Sequence, residues 1–181
     1  MEIKKHLPIY IKSINQIKSI NSDCEFALGL APSFDKKLIK QNYNMKNIQI
    51  IDHNPLQLLE CSNVAMVTSG TISLQAALMG TPCVVGYKLS FISWVLSKIL
   101  IKVKYISMAN IISDKMITPE LIQYKMTPKN IGKEINKLLN DDLHYNEVCA
   151  DLLNVKNIFL DKKNAIKTAA KIINSLSNEK N

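Results

Sequence analysis

Residues 62–88 read SNVAMVTSGTISLQAALMGTPCVVGYK, and no other segment narrows the fold as far. Two short apolar runs, Val64–Val67 and Cys83–Tyr87, lack polar alternation. They therefore read as strands covered on both faces, as in a parallel sheet. Between them Ser69-Gly70-Thr71 opens a helix of small residues, and Gly80-Thr81-Pro82 closes it. A glycine suits the helix end, and a proline cannot continue the helix. Two of the chain's five glycines thus bracket a single helix.

The rest of the chain repeats that alternation. After an opening helix over about residues 2–20, Cys24–Leu28 and Ile48–Asp52 read as strands. Ser33 is placed to cap a helix that runs to about Tyr43, and Pro55 suits the first turn of another that ends near Cys61. An almost wholly apolar helix is expected over Ser90–Tyr105, then an irregular stretch to about Met126. Thr127-Pro128 supplies a cap and a first-turn proline for a further helix, and two more helices close the chain. The fold class is therefore α/β: a Rossmann-like parallel sheet with helices on both faces and helices at the C-terminus. Residues 1–140 are expected to form the sheet domain and residues 141–181 a helical extension. Doubly wound domains usually begin with a strand, whereas this order begins with a helix.

With 181 residues and a 47% apolar share, the chain can bury a core. A formal net charge of +8 suits an anionic lipid surface, nucleic acid or phosphorylated substrates, or only a lysine-rich solvated surface. The basic residues are lysine rather than arginine and aromatics reach only 6%, which argues against nucleic acid. Cys24, Cys61, Cys83 and Cys149 contain no CxxC pair and are expected to be reduced thiols. His6, His53 and His144 are scattered without metal-ligand spacing, so no metal is expected. Neither a cleavable leader nor a membrane span of about eighteen apolar residues is expected.

Chemistry concentrates at Thr68-Ser69-Gly70-Thr71. Ligands of open α/β sheets collect outside the carboxyl ends of strands. The helix beginning there offers free N–H groups and partial positive charge to a phosphate. Gly70 permits close backbone approach, Ser69 and Thr71 add hydroxyls, and Gln75 lies one turn on, where its amide reaches toward a ribose hydroxyl. On spacing alone, the same residues are also a plain N-cap. In the Ser90–Tyr105 helix, Phe91, Trp94 and Val95 form one side, with Lys98 and Lys102 further along. That side suits a membrane surface with lysines at the headgroups, or alternatively a buried or dimer-forming helix.

The ordered run Ser69-Gly70-Thr71-x-x-Leu74-x-Ala76-Ala77-Leu78-x-Gly80-Thr81-Pro82-x-Val84-Val85-x-Tyr87-Lys88 closely resembles the donor-nucleotide segment of lipid-A-disaccharide synthase. The likeness continues through Lys102–Ile112, Pro119–Gln123 and Thr127–Ile131. It implies the C-terminal half of a GT-B glycosyltransferase, in which two Rossmann-like halves face each other across a cleft. The implied reaction transfers a sugar from UDP-2,3-diacylglucosamine to 2,3-diacylglucosamine 1-phosphate, giving the lipid A disaccharide and UDP without a metal or other cofactor. Ser69, Gly70 and Thr71 would meet the diphosphate, and Asn110, Glu120 and Gln123 would line the uridine side. The resemblance also implies a cytoplasmic enzyme, peripheral on the inner face of the membrane.

This chain departs from the family pattern in two places. The family carries glutamate where this chain has Gln75, which implies donor binding weaker by ~1 kcal/mol. Met1–Leu7 matches the family just after its Pro-Gly-Ser-Arg loop, so the first strand, that loop and its arginine are expected to be missing. Acceptor-binding groups and any catalytic base are then expected on an N-terminal half, and no catalytic residue is assigned. The alternative reading is a UDP-sugar-binding remnant, or a fragment that assembles with a partner, the missing half or a second copy, without turnover.

Overall fold

The computed structural model describes residues 2–68, 70–89 and 104–161. The expected Ser90–Tyr105 helix, with Phe91, Trp94, Val95, Lys98 and Lys102, falls almost wholly outside them, as do Ser69 and the final helix. Helix α1 spans Glu2–Lys18, followed by β1 (Phe26–Gly29), α2 (Lys36–Asn42), β2 (Ile48–Ile51) and α3 (Pro55–Glu60). Then come β3 (Ala65–Thr68), α4 (Thr71–Met79) and β4 (Cys83–Tyr87). Helix α5 (Met108–Ser113), β5 (Glu120–Ile122), a 3-10 turn (Gln123–Lys125), α6 (Pro128–Asn140) and α7 (Asp142–Asp161) complete the order.

All strand pairs are parallel, and helices cover both faces, so the α/β Rossmann-like reading holds. The strands form two ladders, β1–β2 and β3–β4–β5. Val84 and Gly86 face α1 and Met126, whereas Cys83 and Val85 face Leu59 of α3 and Ala76 of α4. Strand β4 is buried over Cys83–Gly86, as a doubly covered strand should be. Strand β1 instead alternates half-buried and exposed residues, so one of its faces is the better covered.

Two local expectations are corrected. The cap of α2 is Asp35 and not Ser33: the Asp35 carboxylate accepts the Lys37 N–H at 2.7 Å, and starting at Lys36 lets Ile39 enter the core. The stretch before Met126 is not irregular, since it holds α5, β5 and the 3-10 turn. Thr127 caps α6 as its sequence predicts, accepting the Asn130 N–H at 3.2 Å. Helix α7 sends Val148, Leu152 and Val155 into the same core as Val84 and Ile131.

Candidate functional site

The parallel register brings three chain segments to one rim. Thr68 is level with Gly86, and Gly86 with Leu121. The chain leaves β3, β4 and β5 at this same end of the sheet, so Gly70, Lys88 and Gln123 follow the carboxyl ends of three adjacent strands. Neighbouring strands lie about 4.8 Å apart, so the three strand ends span roughly 10 Å.

Gly70 has φ +105°, a conformation that L side chains rarely adopt, and there is open space where a Cβ would project. The Gly70 carbonyl accepts the Ser73 hydroxyl at 2.8 Å and the Ser73 N–H at 3.2 Å, so a buried serine fixes the turn from below. Thr71 is exposed as the first residue of α4. Gln75 lies half-buried one turn later. At the other end of α4, Gly80 is left-handed at φ +75°, and the Thr81 hydroxyl donates to the Leu59 carbonyl at 2.7 Å. Gly80-Thr81-Pro82 therefore joins α3 to α4 beneath the rim.

Gln123 follows β5 with φ +53°, an uncommon backbone state for a residue with a side chain. Such outliers gather at functional turns. Asn110 and Glu120 lie one layer deeper. The fully buried Asn110 side-chain oxygen accepts the N–H groups of Ile117 and Thr118 at 2.8 and 2.9 Å. Its amide nitrogen donates to the Thr118 carbonyl at 2.8 Å and to Glu120 Oε1 at 2.9 Å. The Glu120 carboxylate also accepts the N–H groups of Ile106 and Ser107 at 3.0 and 2.8 Å. These two side chains shape the loop that enters α5.

Two residues reach the rim that sequence reasoning did not place there. His6 of α1 stacks on Tyr87 with ring centroids 5.4 Å apart, and its Nε2 accepts the Lys88 N–H at 2.9 Å. Lys88 sets a cation just beyond β4. Its place straight after an apolar strand was a usable signal. His6 had none, because its contact spans 82 positions of sequence. Among the described residues, no group of three His, Cys, Asp or Glu side chains is arranged to hold a metal ion. No helix of the described residues is long and apolar enough to cross a membrane.

A family model described as lipid-A-disaccharide synthetase matches residues 1–173. The lipid-A-disaccharide synthase of Rickettsia prowazekii is 35% identical over 152 residues, covering 81% of this chain and 40% of the relative. That of Anaeromyxobacter dehalogenans (strain 2CP-C) is 29% identical over 143 residues, covering 77% and 37%. That of Solibacter usitatus is 28% identical over 178 residues, covering 97% and 46%. The chain thus spans about two-fifths of the length of the curated relatives it matches.

Proposed function

The chain belongs to the lipid-A-disaccharide synthetase family, and from that membership we propose that it carries the nucleotide-sugar-binding half of a glycosyltransferase. The observation that carries this reading is the Gly70 turn, open above and fixed below by Ser73, at the rim shared with Lys88 and Gln123. The diphosphate of a UDP-sugar sits against the N-terminus of α4, where free N–H groups and the helix dipole meet its charge without reorganising. Ser69 and Thr71 donate hydroxyl hydrogen bonds, and Lys88 adds a cation. Gln75 takes a ribose hydroxyl. Gln123 lines the uridine side, with Asn110 and Glu120 acting as positioning residues through the loop whose main chain they hold.

The donor is UDP-2,3-diacylglucosamine, the acceptor 2,3-diacylglucosamine 1-phosphate, and the products are UDP and the lipid A disaccharide. Residues 1–140 form the donor domain and residues 141–181 a helical extension. The acceptor and any general base are held by polypeptide outside residues 1–181. The acylated substrates place the reaction at the cytoplasmic face of the membrane. There Phe91, Trp94, Val95, Lys98 and Lys102 supply a peripheral contact.

Calorimetry with UDP tests the donor site. The wild type should bind, Gly70→Val should lose binding, and Gln75→Glu should bind about fivefold more tightly, equivalent to ~1 kcal/mol. Unchanged affinity in Gly70→Val, with folding intact by circular dichroism, would remove the diphosphate from this turn. Turnover of the two acylated sugars is expected only when the remaining polypeptide is supplied.

A further inference from the structure

Helix α1 sends two polar side chains, one turn apart, to the carboxyl ends of β3 and β4. The Tyr10 hydroxyl donates to the Val67 carbonyl at 2.7 Å and lies 3.3 Å from the Gly86 carbonyl. His6, four residues earlier, is only 2% exposed. Its ring stacks on Tyr87, and its Nε2 accepts the Lys88 N–H at 2.9 Å. Tyr87 is the last residue of β4 to pair with β5, so Lys88 lies just past the ladder. A ring nitrogen that accepts carries no proton, so the imidazole making this bond is neutral, with its proton on Nδ1. Ring and nitrogen together hold two consecutive residues where the chain leaves β4. Such fixing matters at this position, because a lysine is a point charge on a flexible stem and does little to locate itself.

We propose that His6 is a positioning residue of the donor site. It holds the main chain of Lys88 so that the lysine ammonium stays at the rim beside the Gly70 turn, where the diphosphate of a nucleotide sugar docks. The proposal rests on the donor-site reading above and adds to it the group that orders its cation. His6 does not itself meet the ligand; it acts through Lys88. A cation on a wandering loop must be immobilised by the ligand, and that entropy is subtracted from the affinity. A main chain already held by a buried acceptor removes part of the loss before the ligand arrives. The neutral state of the ring serves the same end, since an imidazolium would lose the bond to Lys88 and repel its ammonium.

Calorimetry with UDP on the full chain reads the effect. His6→Gln keeps an acceptor at the same reach and loses the ring, whereas His6→Phe keeps a ring and loses the acceptor. His6→Gln should bind UDP within about threefold of the wild type, and His6→Phe about tenfold more weakly. Lys88→Met should lose a similar factor, and adding His6→Phe to it should lose no more, because both changes act on one contact. Without any ligand, hydrogen exchange of the Lys88 amide should quicken about tenfold in His6→Phe and stay near the wild-type rate in His6→Gln. Wild-type affinity in His6→Phe, or losses that multiply in the double variant, overturns the proposal. The donor-site reading still stands in that case if Gly70→Val abolishes binding. A wild type that binds no UDP removes both. Should His6→Phe fail to fold, His6→Leu, smaller and equally without an acceptor, takes its place; collapse of both would make His6 a structural residue only and overturn the proposal.

Discussion

Every polar atom of the Asn110 side chain is engaged: its oxygen accepts two main-chain N–H groups and its nitrogen reaches Thr118 and Glu120. An amide in that position has no solvent to fall back on, so truncation leaves buried donors and acceptors without partners. Asn110→Ala should destabilise the fold by about 2–4 kcal/mol, read as a lower urea midpoint, which places it among the severe single substitutions. A change below ~1 kcal/mol would mean that water replaces the lost bonds. Little of this was legible in the sequence. An asparagine between Ala109 and Ile111 carries no local mark of burial, and its partners Ile117, Thr118 and Glu120 are brought to it by β5. Thr127 was legible because a cap followed by a proline is a self-contained signal. Ser33 and Asp35 are both good caps, and which one serves was decided by the burial of Ile39 rather than by capping strength.

Helices α1 and α6 meet so closely at Gly132 that a Cβ there would lie 2.5 Å from Gln16 Cβ. That atom sits at the root of its side chain and cannot swing aside. The contact is reinforced nearby, where Asn136 accepts the Asn21 amide at 2.8 Å and donates to the Gln16 carbonyl at 3.1 Å. Gly132→Ala adds helix propensity worth up to about 1 kcal/mol. It also forces the two helices apart, and overpacking of this kind costs about 1–3 kcal/mol. The net expectation is a loss of stability of about 1–2 kcal/mol by denaturant titration. A stabilised variant would show that α1 tilts freely. Elements with their own local signals, such as α4 between Gly70 and Gly80, could be read from the sequence. Helix α5 has only six residues and β5 only three, so neither carries enough periodicity to announce itself. They exist because Asn110 and Glu120 tie them together. The separation of the strands into two ladders was not legible, since pairing between strands is not written in either strand alone.

Two buried groups on opposite sides of β4, Tyr10 of α1 and Cys83 beside α3 and α4, give the folded chain a predictable response to alkali. Burial raises the Tyr10 hydroxyl far above the ordinary phenol value, an effect only partly opposed by its hydrogen bond to Gly86. Burial likewise pushes the Cys83 thiol up to about 12. Both groups are neutral when protonated, so the folded state keeps protons that the unfolded chain releases first. Their contribution is complete below the unfolded values, about 8.5 for a thiol and 10 for a phenol, and is lost as pH climbs toward the folded ones. Within that window each group removes up to about 1.4 kcal/mol of stability per pH unit. The surface charge acts in the opposite sense. A net charge of +8 repels itself, and its loss in strong alkali relieves that repulsion. The two effects separate by mutation, because the surface lysines are common to every variant. Urea midpoints of the wild type should fall from about pH 8 to 10.5, first through Cys83 and then more steeply as Tyr10 joins. Cys83→Ala should flatten the first part of that decline and Tyr10→Phe the second, each from a lower starting stability. Parallel curves for all three proteins would mean that both sides of β4 open to water before either group titrates; loss of the Tyr10 effect alone would mean that α1 does not hold β3 as tightly as its bond to Val67 requires.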